Sequence, residues 1–154
     1  MDAIGSVKTG RFVVIDADFQ HPPEKIRDIV RLLGRDELVV GTRANVEDWE
    51  YSRHFMSIVA TNLGKLSLLI RRSAACSDIM SGFFGARTEL AKKYIEANPS
   101  AFAGSGYKVL FDLLKLMPRC TRVGEVPYAF ANRSEGKSKI STKHIVVYFI
   151  SLFR

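Results

Sequence analysis

Two cysteines, Cys76 and Cys120, and three histidines are all that this chain of 154 residues offers to thiol or imidazole chemistry. The cysteines lack metal-ligand spacing and nothing resembles a secretory signal, so reduced thiols in a cytoplasmic setting are the default expectation. Long apolar runs are also missing. No stretch reaches the roughly 20 apolar residues that a membrane-crossing helix needs, and the longest candidate, 55–70, is interrupted by Asn62 and Lys65. It reads as an amphipathic helix, packed on a core or lying in an interface. There is no internal repeat and no low-complexity segment. No single element interleaves aromatic and basic residues, which argues against nucleic acid as a partner.

Positive charge is abundant. Lys and Arg total 23 against 16 Asp and Glu, a net charge of +7. Such an excess suits nucleic acid, an anionic membrane or phosphorylated small molecules. The segment 133–154 carries Arg133, Lys137, Lys139, Lys143 and Arg154 against Glu135 alone, together with the apolar run Ile145-Val146-Val147-Tyr148-Phe149-Ile150. A basic, apolar end suits a membrane surface as well as it suits an ordinary C-terminal helix packed on its own core.

The most specific local pattern is Val13-Val14-Ile15-Asp16-Ala17-Asp18-Phe19-Gln20-His21-Pro22-Pro23-Glu24. Residues i and i+2 of an extended segment point the same way, so Asp16 and Asp18 can approach one hard cation, and Gln20 can add a neutral oxygen. An all-oxygen set suits Mg²⁺ or Mn²⁺, ions that commonly share their shell with substrate phosphates. Acidic residues after a strand also serve simply as solvated turn formers. Context favours a site: 12–15 reads as a buried parallel strand, Pro22-Pro23-Glu24 reads as a helix start, and ligands of open α/β sheets lie outside the carboxyl ends of strands.

Hydrophobic periodicity predicts helices at 3–8, 23–33, about 50–72, 88–96 and 107–116, with an amphipathic one at 141–154. It predicts strands at 12–16, 37–41, 82–87 and 122–126, with an irregular stretch at 77–81 and a break at Asn98-Pro99. Strands alternating with helices indicate an α/β sheet that is at least partly parallel. At this length a single domain is expected. The first strand arrives only at residue 12, with no phosphate- or base-binding loop before it, so a partial nucleotide-binding domain is expected.

Asp16-Ala17-Asp18-Phe19-Gln20-His21-Pro22-Pro23-Glu24 resembles the metal-binding motif of the dolichol-phosphate mannosyltransferases, membrane-associated members of the inverting glycosyltransferase family 2. Three further segments agree in order. Leu38-Val39-Val40-Gly41-Thr42-Arg43 resembles the strand ending in that family's Gly-Ser-Arg. Asp78-Ile79-Met80-Ser81-Gly82-Phe83-Phe84 resembles its Asp-Pro-x-Ser-Gly-Phe. Glu125-Val126-Pro127-Tyr128, with Arg133, Gly136, Ser138 and Lys139 beyond it, resembles its closing loop.

The resemblance implies a GT-A fold, an α/β sandwich that binds nucleotide-diphospho-sugars, and transfer of mannose from GDP-mannose to a polyprenyl phosphate such as dolichol phosphate. It implies that Asp16, Asp18 and Gln20 hold Mg²⁺ or Mn²⁺ on the donor diphosphate, that Arg43, Arg53 and Ser57 meet the acceptor phosphate, and that Arg133 and Lys139 close over the reacting phosphates. Asp78 and Ser81 would face the sugar and acceptor. Asp18, Arg43 and Arg133 would carry the catalytic step. The shortage of histidine and cysteine at these motifs is chemically consistent, because a lipid monophosphate is already an anion near neutral pH, with a second pKa of about 6 by analogy with phosphoamino acids. His21 is expected to pack or cap beside Pro22 rather than to transfer a proton.

The chain departs from the family pattern at Ile79, where proline is usual, at Lys137, where glutamate is usual, and in a short loop between Arg43 and Trp49. The family's first strand and its Asp-Asp-Gly-Ser segment have no counterpart, so a complementary chain supplying the base-reading part is expected. Many relatives continue into membrane helices; here attachment to the cytoplasmic face of a membrane would rest on the helix after Trp49 and the C-terminal one. A UDP-linked glucosyl or aminosugar donor is the near rival, and an inactive fragment that only binds anionic lipid is another. The strand ending in Asp-x-Asp also resembles the haloacid-dehalogenase phosphatases, but Gln20 and the absence of a downstream Gly-Asp-x-x-x-Asp speak against them.

Overall fold

The computed structural model describes residues 2–17, 20–44, 51–102, 109–129 and 152; at 2 and 51–57 only the backbone is described. The elements in chain order are α1 (Asp2–Gly5), β1 (Arg11–Val14), a 3₁₀ turn at Pro23–Lys25 leading into α2 (Ile26–Leu32), β2 (Leu38–Arg43) and α3 (Tyr51–Ile70). There follow β3 (Phe84–Arg87), α4 (Thr88–Ala97), a 3₁₀ turn at Pro99–Ala101, α5 (Val109–Leu116) and β4 (Val123–Tyr128).

The four strands form one sheet in the order β1-β3-β2-β4. β3 runs antiparallel to both its neighbours, with Phe84 opposite Val14 on one side and Val40 on the other, whereas β2 and β4 are parallel. The sheet is thus mixed, in keeping with a partly parallel α/β arrangement. One expectation needs correction. The apolar run at 12–15 suggests a buried parallel strand, but β1 stops at Val14, pairs antiparallel with β3 and is only half-buried. It lies at the end of the described sheet, so β3 covers one of its edges, and apolar character alone does not report strand direction.

Alternation along the strands separates two cores. Leu38, Val40, Phe84 and Ala86 point to the face carrying Leu68 of α3, Ala91 of α4 and Leu110, Phe111, Leu113 and Leu114 of α5. Val39, Phe83, Val126 and Tyr128 point to the opposite face, where Ile29 of α2 and Leu33 just beyond it cover them. β2 is buried on both sides, which is why its sequence is almost continuously apolar. Each fully buried Leu, Ile or Phe here contributes about 1.5–3 kcal/mol of transfer free energy. The result is a helix–sheet–helix sandwich that holds β2 and β3 rigidly at its centre.

α3 ends through a left-handed residue, Arg72 with φ of 54°. Ser73 N–H donates to Leu68 O at 2.9 Å and Arg72 N–H to Leu69 O at 3.1 Å, the paired bonds that close a helix C-terminus. Among the described residues no helix is long and apolar enough to cross a membrane. The amphipathic helix expected at 141–154 falls outside the described residues except for Leu152, whose carbonyl accepts from Ser67 Oγ at 3.0 Å.

Candidate active site

β1, β2 and β4 all finish at one rim of the sheet, and β3, running the other way, starts there. The topology therefore delivers four segments to one place: Asp16 just after β1, Arg43 at the end of β2, Tyr128 at the end of β4, and the irregular loop 77–83 that feeds β3.

Within that rim Arg43 and Asp78 form a two-pronged ion pair. Nε donates to Oδ2 at 2.7 Å and Nη2 to Oδ1 at 2.8 Å. The side chains are 17% and 13% exposed, so the pair is mostly screened from water and the guanidinium plane is held in one orientation. Burial alone would lower the pKa of Arg43, but the hydrogen bond and charge of Asp78 outweigh it and leave the group above its ordinary value. Arg43 is a permanent cation at the rim.

The loop before β3 is tied down from several sides. Ser77 donates both its backbone N–H and its hydroxyl to the two oxygens of Glu125 on β4, each at 2.6 Å. Ser81 is buried; its hydroxyl donates to Gly41 O at 2.6 Å and accepts from Phe83 N–H at 3.1 Å. The Ser81 side chain thus fastens the loop to β2 instead of facing the open rim. Gly41 packs where a side chain would strike the Phe83 ring and the Tyr128 ring.

Asp16 is the exposed member of the group, its side chain 60% accessible. Its carboxyl lies against Gly82, where a Cβ would overlap it. Beneath it is a cluster of three rings. His21 stacks obliquely on Phe83 at 5.4 Å between centroids, and Tyr128 meets both edge-on, at 5.5 Å from His21 and 5.6 Å from Phe83. Tyr128 Oη and His21 Nδ1 are hydrogen-bonded at 2.8 Å, and His21 Nε2 is 3.5 Å from Asp16 Oδ2. Burial, opposed by the charge of Arg43 and a hydrogen bond with Ser81 and supplemented by the negative charge of Asp78 and Asp16, pushes the Tyr128 phenol well above its ordinary pKa, so it stays protonated.

Gln20 is half-buried beside His21 in sequence. Arg53 and Ser57 lie one turn apart in the first part of α3, the spacing that shares a helix face, with only their backbone described. Asp18, Arg133 and Lys139 lie outside the described residues. Among the described residues no three His, Cys, Asp or Glu side chains gather into a metal-holding group. The fit of a cation here rests on Asp16, an accessible carboxylate facing out of the rim, with Asp18 and Gln20 as its oxygen-bearing neighbours in the sequence. The expectation that His21 packs is met; its link to Tyr128 and Asp16 is not visible from local spacing, because His21 and Tyr128 are 107 residues apart.

No established protein-family profile matches the chain. A solved structure, the glucosyl-3-phosphoglycerate synthase of M. tuberculosis, superposes with a TM-score of 0.55 at 18% identity over 97% of this chain and 52% of its own. The fold is therefore GT-A, the architecture of the nucleotide-diphospho-sugar glycosyltransferases. The dolichol-phosphate mannosyltransferase of Saccharomyces cerevisiae is 39% identical over 154 residues, 93% of this chain and 54% of the yeast protein. That of Pyrococcus furiosus is 34% identical over 148 residues, 93% of this chain and 40% of its own length, and that of Mycosarcoma maydis 34% identical over 149 residues, 92% and 47%. Along nearly all of its length the sequence is thus a homologue of the dolichol-phosphate mannosyltransferases, and it spans about half the length of the curated relatives it matches.

Proposed function

We propose that residues 1–154 form a single, partial GT-A domain that transfers mannose, with inversion, from GDP-mannose to a polyprenyl phosphate such as dolichol phosphate. The observation that supports this most directly is the juxtaposition at one rim of an exposed carboxylate, Asp16, and an oriented, permanently charged arginine, Arg43. One suits the donor diphosphate through a cation, the other an acceptor phosphate. Homology to enzymes of that name supports the sugar and the acceptor class.

The reaction asks little of acid–base groups. A phosphate oxygen of the acceptor forms a bond to the anomeric carbon while the bond from that carbon to the nucleoside diphosphate breaks, and the diphosphate leaves with the electron pair. Catalysis then consists of placement and charge. Asp16, Asp18 and Gln20 would hold Mg²⁺ or Mn²⁺, which supplies charge neutralisation to the leaving diphosphate. Asp78 fixes the plane of Arg43, which with Arg53 and Ser57 would receive the acceptor phosphate; Arg133 and Lys139 would cover the reacting groups. Ser81 would serve by holding the loop.

A membrane setting suits the surface of α3. Leu66, Leu69 and Ile70 are 52%, 60% and 75% exposed, and the exposed Arg71 and Arg72 follow them. This combination favours a peripheral position on the anionic cytoplasmic face.

Calorimetric titration with GDP-mannose, and with UDP-glucose for comparison, in Mn²⁺ and then in excess chelator tests the reading. Metal-dependent binding of GDP-mannose, followed by transfer of labelled mannose to dolichol phosphate in vesicles, is expected. Binding of UDP-glucose alone would reassign the donor. Lipid binding without binding of either donor and without turnover would overturn the enzymatic reading.

A further inference from the structure

His21 and Tyr128 are 5% and 3% exposed, yet their polar atoms form a line that ends at the exposed carboxylate of Asp16. Tyr128 Oη meets His21 Nδ1 at 2.8 Å, and the other ring nitrogen, Nε2, faces Asp16 Oδ2 at 3.5 Å. In the tautomer that accepts the Tyr128 hydroxyl at Nδ1, the ring proton sits at Nε2, toward the Asp16 carboxylate. On the other side the carboxyl is bounded by Gly82. An exposed aspartate would otherwise sample its rotamers freely; here its carboxyl lies between the His21 ring nitrogen and Gly82.

We propose that Tyr128 and His21 are positioning residues that fix the Asp16 carboxylate in its cation-holding orientation, so that the affinity of the site for a divalent ion depends on two buried residues that never touch it. The inference rests on the reading of Asp16 as a cation ligand. Partners that orient metal ligands are generally worth about 10–100-fold in affinity. Because Ala44 N–H donates to Tyr128 O at 2.9 Å, the same tyrosine also joins β4 to the residue after Arg43, coupling the two halves of the rim.

Manganese alone is the probe. Its Kd is measured from the paramagnetic signal of the free ion and from broadening of amide resonances near residues 16–21, for the wild-type chain and for Asp16→Asn, Tyr128→Phe, His21→Gln and His21→Ala. Ring-nitrogen spectra report the histidine tautomer directly. Wild type should show His21 protonated at Nε2, and Tyr128→Phe, which keeps the ring packing, should lose that signature and raise the Kd by about tenfold. His21→Ala should do the same, with partial recovery in His21→Gln, which restores a donor toward Asp16. Loss of thermal stability with an unchanged Kd in these variants would mean a merely structural role and would overturn the proposal. If Asp16→Asn abolishes binding while Tyr128→Phe and His21→Ala bind as wild type, the relay falls and the cation site stands. If Asp16→Asn binds manganese as wild type does, or the wild type produces no broadening near 16–21, the cation reading itself falls and takes the relay with it.

Discussion

Gly82 and the carboxyl group of Asp16 are packed so closely that a methyl group on the glycine would occupy the space of the carboxyl oxygens. The obstructed atoms are the tip of a flexible, exposed side chain, so Gly82→Ala should displace Asp16 without disturbing the sheet. Expected are a stability within about 0.5 kcal/mol of wild type and a fall in manganese affinity and transfer rate of about 10–100-fold. Thermal melting beside a metal titration checks both. A large stability loss with intact affinity would assign the glycine to backbone geometry instead.

Gly41 provides the contrast. A Cβ there would approach Phe83 Cδ1 to 2.6 Å and the Phe83 carbonyl to 3.1 Å, and Gly41 N–H is itself bonded to that carbonyl at 2.8 Å. Neither neighbour can retreat, since one is buried and the other is backbone. Gly41→Ala should cost about 1–3 kcal/mol, measured by urea denaturation.

The Arg43–Asp78 pair makes a third prediction. Asp78→Ala would leave a mostly buried guanidinium without its carboxylate and should destabilise the chain by about 1–3 kcal/mol. Arg43→Met combined with Asp78→Ala should cost less than the sum of the single changes, since the double variant leaves no stranded charge. Additive costs would mean that the pair is not energetically coupled.

The two thiols should behave oppositely. Burial, then the charges of Glu125 and Asp78, push Cys76 up to about 12, whereas Cys120 is exposed. A thiol reagent at pH 8 should modify Cys120 rapidly and Cys76 only on unfolding. The sign for stability follows: the folded state holds the Cys76 proton more tightly than the unfolded state, so its contribution is complete below the ordinary thiol value of 9.0 and declines as pH rises toward about 12. Comparing the pH dependence of denaturation with that of Cys76→Ala isolates this contribution.

Arg72 adopts a left-handed conformation that glycine accepts at less cost. Arg72→Gly should leave stability unchanged or raise it by up to about 1 kcal/mol. A decrease beyond that would show that the arginine side chain contributes contacts of its own.

Much of this arrangement is written locally. The uninterrupted apolar run of 38–41 marks the doubly covered β2, and the i, i+3, i+7 spacing of Ile26, Ile29 and Leu33 marks the face that α2 and its final turn bury. The motifs at 16–24, 38–43, 78–84 and 125–128 identify the four segments that meet at the rim. What local pattern cannot carry is pairing across the chain. Arg43 and Asp78 are 35 residues apart, and each alone looks like a surface charge. Ser81 looks like a turn residue with a free hydroxyl until β2 supplies the Gly41 carbonyl that consumes it. The direction of β1 is likewise settled by β3, since periodicity is the same in either sense.

The placement of β3 between β1 and β2 also makes the sheet a caliper. Asp16 and Arg43 extend the ends of two strands, β1 and β2, that are never in contact, because β3 always separates them. Two strand spacings amount to roughly 9–10 Å, and that interval is set by a hydrogen-bonded lattice. On the proposed roles, the gap between the donor's phosphate and the acceptor's is thus gauged by the backbone, with room between for one sugar ring. Loop substitutions can then change how firmly each phosphate is gripped while the span of the transfer stays the same.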